Sequence, residues 1–390
     1  MAALRLLKRI EREGRAATPD EQRTLAAYAG WGHTGMKNAM FPVGGSRARG
    51  TLGNLADELK TLLTPEEYAT AARSTQYAHY TTPEVIASMW RAARRLGFRG
   101  GRVWEGGFGI GRFQGLIPED LAGRTVMSGV EMDHVSAAIA RLLYPKADLR
   151  QGDFVDFPLL SDTFDLAIGN PPFSDRTVTA DRQFARHKLL LHDYFIAKQV
   201  VMLKPGGIAI LVTSHGTMDK GSQKARELIA SQADLIGAVR LPNTAFKTDA
   251  GTEVVTDILF LRKRDLLAGP GGEAWMELAE IRTADGGKAW VNEYFARHPE
   301  MVLGRHALSG KMRFGGGQEY TVEGAAGDIE ALIDAAVARL PAAAPEAAPA
   351  PDGAMAPILT GADNKPAALA DSKLEGGVVL DGRALCKIMK

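Results

Sequence analysis

A single cysteine, Cys386, occurs in 390 residues. One thiol excludes an intramolecular disulfide and a cysteine-rich zinc site, and it fits a reducing, intracellular compartment. Long apolar runs are missing too. The N-terminal MAALRLLKRIEREG starts cationic but holds no apolar stretch of signal-peptide or membrane-spanning length. The expected location is therefore the cytoplasm, with no membrane partner. Nor is there an excess of one charge: 47 Lys and Arg against 46 Asp and Glu leave +1, so any nucleic-acid surface must be local. What remains, 45% hydrophobic and 24% charged residues, is ordinary for a globular chain. The length suits one large domain with appendages, or two domains.

Residues 1–76 read as a helical N-terminal extension. Leu4, Leu6, Leu7 and Ile10 form an apolar stripe ringed by Arg5, Lys8, Arg9 and Arg12. Thr18-Pro19-Asp20-Glu21 and Thr64-Pro65-Glu66-Glu67 each read as a helix start: threonine cap, proline first, glutamate three residues on. Residues 1–50 carry nine Lys and Arg against four acids, a local +5. A solvated helix face is the simpler reading and a DNA-facing patch the rival. Trp31-Gly32-His33 and the Gly/Arg-rich 44–50 read as loop, and no metal-ligand spacing involves His33.

From Tyr77 strand and helix alternate. Thr82 caps a helix through Val85, Ile86, Met89 and Trp90. Strands follow at Arg102–Trp104, Val126–Val130, near Leu149, over Phe164–Gly169, at Ile208–Val212, Leu235–Val239 and Val254–Leu261, with helices between them. Repeated strand–helix units predict an α/β domain over 77–265, a seven-stranded, mostly parallel sheet with helices on both faces. Residues 266–340 are a small C-terminal region of weaker periodicity ending in a helix, a possible DNA contact. The Ala/Pro tract from Pro341 opens a linker and flexible tail to 390, with one short hairpin at 376–385.

Four strand ends carry candidate chemistry. Phe164–Phe173, FDLAIGNPPF, is a buried-strand pattern broken by two prolines, so the chain leaves the sheet at the carboxyl end where open α/β folds bind ligands. By itself Asn170-Pro171-Pro172 reads equally as a plain turn. The glycine loop Glu105–Gly111 suits NAD, FAD or S-adenosylmethionine alike. Glu131, twenty residues after Gly111, is placed to accept from ribose hydroxyls. Asp153-Phe154 adds an acid for an exocyclic amine and a ring for a purine face. Each has a bland alternative, a solvated strand end or a core aromatic; jointly the bland readings are poor.

In this order, Glu105-Gly-Gly-Phe-Gly-Ile-Gly111, Asp153-Phe154 and Asn170-Pro-Pro-Phe173 resemble the S-adenosylmethionine-dependent amino-methyltransferases. With His79-Tyr80-Thr81-Thr82-Pro83 upstream, the order is similar to that of gamma-type N6-adenine DNA methyltransferases. Over about residues 20–265 the chain looks most like the methylase half of helicase–methylase proteins from phages and mobile elements. TLAAYAGWG, LTPEEYATAARSTQYAHYTTPEVI, GTMDK and LPNTAFKTDAGTEVVTDILFLRKR carry that likeness. The resemblance implies a Rossmann-like S-adenosylmethionine-dependent methyltransferase fold, S-adenosyl-L-methionine as cofactor and DNA as partner. It implies Tyr80 and Thr82 near the cofactor's methionine, and Glu105, Gly107 and Gly109 shaping its pocket. Glu131 would hold the ribose, Met132 pack on adenine, Asp153 accept from the adenine N6 and Phe154 lie against the ring. Asn170 and Pro171 would accept from the target amine, Pro172 completes the turn, and Phe173, with Phe246, would stack on the flipped base. Two features depart from the family: glycine at 106 where proline is usual, and the absence of the helicase that the larger relatives carry. Sequence specificity would then fall to the N-terminal region, to 266–340, or to a separate helicase or specificity partner.

The tetrapeptide also occurs in methyltransferases of guanine N2 in RNA and of protein glutamine, which need the same two acceptors. Tyr-Thr-Thr-Pro and the 241–264 string favour DNA. A non-catalytic DNA-binding remnant and, more distantly, a nicotinamide dehydrogenase are the readings from other classes.

Overall fold

The structure, a computed structural model, describes residues 1–31, 38–42, 50–75, 81–246, 254–265, 267–311, 318–325 and 327–343. Tyr80, His33, the hairpin at 376–385 and nearly all of the Ala/Pro tail lie outside the described residues.

One seven-stranded sheet organises the chain, in the order β3-β2-β1-β4-β5-β7-β6. Its strands are β1 Gly101–Gly106, β2 Thr125–Glu131, β3 Asp148–Gln151, β4 Phe164–Gly169, β5 Leu203–Ser214, β6 Ala233–Leu241 and β7 Thr256–Lys263. β1 pairs in parallel with both β2 and β4, and β2 with β3 and β4 with β5 likewise. β7 alone runs antiparallel, between β5 and β6. The central strands are apolar on both faces: Leu166, Ala167, Ile168 and Ile208–Val212 are almost fully buried, as helix-covered parallel strands require. Strand order reverses between β1 and β4, and such a switch opens a crevice at the carboxyl ends. Lys204–Gly207, which reads as a turn in sequence, is already part of β5, because a ladder irregularity between Phe164 and Leu166 absorbs it.

Helices α1 Ala2–Glu13, α2 Pro19–Ala26, α3 Thr51–Leu62 and α4 Pro65–Ser74 form the N-terminal layer. Both predicted capping boxes are closed: Thr18 and Glu21, like Thr64 and Glu67, exchange side-chain-to-backbone bonds. The layer's apolar stripe, Leu4, Leu7 and Ile10, packs with Leu25, Leu59 and Ala71 against Val135 and Ile139 of the helix after β2 and against Ile110 of the glycine loop. The N-terminal cations are largely neutralised from within. Arg5 pairs with Glu58, Lys8 with Glu11 and Glu67, Arg9 and Arg15 with Glu21, and Arg23 with Asp20.

α5 Pro83–Arg95, α6 His134–Leu143, α7 Leu191–Met202 and α8 Lys224–Ala230 cover the sheet. The 266–340 segment forms two small hairpins, β8 Leu278–Arg282 with β9 Lys288–Asn292 and β10 Gly304–Lys311 with β11 Gln318–Gly324, then α9 Ile329–Val337. Its Trp275, Tyr294, Phe295, Val322 and Ile333 join the same hydrophobic core as the sheet. Arg240 of β6 fastens it. Every guanidinium donor is used: Nε and Nη2 go to Asp257 at 2.8 Å each, Nη1 and Nη2 to Asp219 at 2.7 and 3.0 Å, and Nη1 to Tyr320 at 3.1 Å. Phe295 lies 4.1 Å from the guanidinium carbon, centroid to atom. Burial opposes this charge, but the two carboxylates hold Arg240 well above its ordinary pKa.

Candidate functional site

At the carboxyl ends of β1 to β4 lies a cleft of about 1010 Å³, its open mouth included. Its walls include Glu105, Gly107, Gly109, Glu131, Met132, Asp153, Phe154, Asn170 and Pro172. Parallel pairing explains the convergence: β1 sits between β2 and β4, so the residues just past each strand emerge at one edge.

The glycine loop turns on positive φ, +79° at Gly107 and +56° at Gly109, which L side chains rarely adopt. A Cβ on Gly107 would stand 3.7 Å from Pro172 Cδ, so the glycine loop and the Asn-Pro-Pro turn touch across the cleft. At Gly106, where the resembled family carries proline, the backbone N–H donates to Gln199 Oε1 at 3.4 Å. That N–H is one a proline would lack.

Three acids face the cleft in different states. Glu105 is 3% exposed, and its Oε2 has no hydrogen-bond partner among the described residues. Burial, reinforced by the charge of Glu131, raises its pKa well above the ordinary carboxylate range. Glu131 accepts the N–H of Gly109 through Oε2 and of Asp133 through Oε1, both at 2.8 Å. It thereby ties β2 to the glycine loop; burial still pushes its pKa up to about 7. Asp153 uses Oδ1 to accept the Val155 N–H at 2.9 Å, closing the turn after β3. Phe154, behind it, contacts Phe195 with ring centroids 4.7 Å apart and Trp104 at 5.8 Å, so it is both wall and core.

Not every residue singled out in the sequence reaches the cleft. Thr82 spends its hydroxyl capping α5, accepting the Val85 N–H at 3.5 Å, and the neighbouring Thr81 lines the cleft instead. Phe173 is half-buried beside it, edge-on to His192 at 6.4 Å. Phe246 is 3% exposed in the main core and does not line the cleft. Sequence reasoning missed Ser74, which carries the N-terminal layer into the wall, Thr81, and Arg112, whose Nη1 donates to Thr81 O at 3.1 Å. It also missed Lys198. This 1%-exposed lysine of α7 donates to Phe154 O at 2.8 Å, Phe157 O at 2.7 Å and Asp181 Oδ2 at 3.0 Å. A lysine within the mostly apolar run Tyr194–Met202 was the available signal.

The acids of the walls, Glu105, Glu131 and Asp153, suit a ligand that offers hydroxyls and amines, while Arg112 and Arg176 add donors. Fold and sheet order define the class: a Rossmann-like α/β fold, its seven-stranded sheet mostly parallel, with a helical N-terminal extension. More particularly, residues 132–246 match the family model for the Eco57I restriction-modification methylase. Comparison with curated proteins returned no match. Among solved structures, the type I restriction-modification methyltransferase subunit from Streptococcus thermophilus is similar at 18% identity and TM-score 0.42, over 55% of this chain and 54% of that one. This chain thus spans about half that subunit's length. A Listeria monocytogenes protein described as a class I S-adenosylmethionine-dependent methyltransferase is 15% identical, TM-score 0.44, over 70% and 91%. A Vibrio vulnificus modification subunit, assigned to a type I restriction enzyme, is 16% identical, TM-score 0.42, over 71% and 80%.

Proposed function

We propose that this chain is an S-adenosylmethionine-dependent methyltransferase acting on N6 of an adenine flipped out of DNA. One observation carries the reading: the Asn170-Pro171-Pro172 turn opens from the end of β4 into the cleft lined by Glu105, Glu131 and Asp153, with Pro172 against Gly107. The match over 132–246 spans the stretch with Asp153 and Asn170–Phe173 and adds the restriction-modification context.

The walls fit the cofactor. The buried Oε2 of Glu105 lacks a partner among the described residues and the ring of Phe154 borders the cleft, as an amine and a purine require. Glu131 serves the ribose, Met132 and Phe154 the adenine, Asp153 its exocyclic amine. Bound there, S-adenosylmethionine supplies a methyl group on a positively charged sulfur. The chain's own work is on the acceptor. An adenine N6 lone pair is delocalised into the ring; the Asn170 side-chain oxygen and the Pro171 carbonyl accept its two hydrogens, favouring a pyramidal nitrogen with a directed lone pair. Pro172 contributes no N–H to compete for that carbonyl. Positioning and preorganised dipoles then supply most of the rate, and Phe173 stacks on the extruded base to offset a few kcal/mol of flipping. DNA specificity comes with a separate helicase or recognition partner, as the resemblance to helicase–methylase proteins suggests.

Transfer of tritiated methyl groups to duplex DNA, structured RNA and unfolded protein tests the reading. Label on adenine N6 of DNA, lost in Asn170→Ala, is the expected result. Label confined to RNA or protein assigns the same cleft to the rival amines. No cofactor binding and no effect of Asn170→Ala would make the chain a non-catalytic remnant.

A further inference from the structure

Between Phe173 and α7 the chain makes an excursion, residues 174–190, that is stitched shut and fastened from below. Thr177 bridges Leu190, the Val178 N–H donates to Leu189 O at 2.9 Å, and the Leu191 N–H to Arg176 O at 3.0 Å. Val178, Phe184 and Leu189 are buried, Phe184 edge-on to Tyr194 at 5.5 Å. Asp181 accepts from the Tyr194 hydroxyl at 2.8 Å and from Lys198 at 3.0 Å, and that ammonium also grips the turn after β3. The excursion is therefore held in register with both sides of the cleft.

Its outer face has the opposite character. Arg176, Arg182, Arg186 and Lys188 fall within thirteen residues and are all exposed. None makes an ion pair among the described residues; Arg186 Nε only meets His187 Nε2 at 3.0 Å. Of the two acids in the loop, Asp181 is engaged below and Asp175 alone faces solvent. Arg176 itself lines the cleft mouth. The N-terminal layer, as basic in sequence, differs: there Arg5, Lys8, Arg9, Arg15 and Arg23 each have a carboxylate. Exposed, unpaired cations fixed beside a cleft are complementary to a polyanion, and phosphate contacts are what orient a protein on a duplex.

We propose that the 174–190 loop is the phosphate clamp of the DNA complex, Arg182, Arg186 and Lys188 gripping the backbone beside the flipped nucleotide and Arg176 guarding the mouth. The inference rests on the proposed action on DNA.

The test is a salt titration of the full chain binding labelled duplex DNA, 50–200 mM, for wild type and the triple variant Arg182→Ala/Arg186→Ala/Lys188→Ala. Three lost phosphate contacts flatten the slope of log K against log salt by about 2.7, so wild-type affinity falls roughly 40-fold more over that range than the variant's. A control removing equal charge elsewhere, Arg9→Ala/Lys288→Ala/Arg305→Ala, keeps the wild-type slope. Cofactor affinity stays within about twofold in both, because none of these six lines the cleft. If the alanine variant melts early, the triple glutamine variant replaces it. An unchanged slope in a wild type that methylates DNA overturns the clamp and leaves the enzymatic reading intact. Methyl transfer to RNA or protein alone overturns the enzymatic reading whatever the slopes. A slope that depends on the loop with RNA and not with DNA overturns the choice of partner.

Discussion

Cofactor affinity should depend on pH through Glu131. In the free protein its carboxyl is buried, accepts two backbone N–H groups and sits beside Asp133; burial dominates and its pKa is about 7. Glu105 is also raised well above the ordinary carboxylate range, by burial first and then by the charge of Glu131. Against an unfolded value of 4.5, folded Glu131 binds the extra proton between pH 4.5 and 7, so its contribution favours folding at low pH and is lost as pH rises through that window. The amount is on the order of 3 kcal/mol at 1.36 kcal/mol per unit. In the proposed ribose-holding role, hydroxyls donating to the ionised carboxylate would reverse the balance in the complex and drive the proton off. Observed affinity then scales with the ionised fraction: about tenfold weaker at pH 6 and about 100-fold weaker at pH 5 than on the plateau above pH 8. Isothermal titration from pH 5.5 to 8.5 in buffers of differing protonation heat reads both the slope and the released proton. Glu131→Gln removes the titration, and the difference between the two proteins isolates Glu131 from the ligand's own amine. A wild-type Kd constant within twofold from pH 6 to 8.5, or an undiminished slope in the glutamine variant, would refute the reasoning.

The two halves of the cleft should separate by mutation. Asn170→Ala lowers kcat by roughly 100-fold or more with cofactor Kd nearly unchanged, whereas Asp153→Ala raises cofactor Kd; titration calorimetry beside a methyl-transfer assay distinguishes them, and the reverse pattern means the halves are misassigned. Arg240→Met strands two carboxylates and should cost about 3–5 kcal/mol of stability, read by urea unfolding; a loss under about 1 kcal/mol would show that water reaches the site. Lys198→Met frees the turns at Phe154 and Asp181 together, so KM for cofactor and for DNA should both rise in steady-state kinetics. A rise in only one would uncouple the turns. Gly107→Ala, forced to a positive φ, should cost about 1–2 kcal/mol in a thermal or urea melt, and an unperturbed melt would mean the loop relaxes.

Much of the fold was legible locally. The Thr-Pro-x-Glu starts, the glycine loop, and the apolar strands that stop at an acid or at Asn-Pro-Pro are short-range signals, and each appears where its pattern ends. Less legible were long-range partnerships. The 266–340 segment has weak periodicity because its apolar residues are spread over hairpins and one helix, each completing a core built elsewhere through Tyr294, Phe295 and Ile333. Ser74 reaches the cleft because the N-terminal layer folds over α6, which no local pattern announces.

The linear chain, then, determined the strand ends and what they carry: Glu105, Glu131, Asp153 and Asn170 stand at or just past the ends of strands, and period and punctuation are properties of neighbours in sequence. Only the tertiary structure decided how those ends are used. Sheet order gathers them at one edge, burial raises the pKa of both Glu105 and Glu131, and carboxylates of the N-terminal layer pair with Arg5, Lys8, Arg9, Arg15 and Arg23, while the cations of the 174–190 loop meet none among the described residues. Charge is written in the sequence; whether it is free to meet a ligand depends on which residues fold against it.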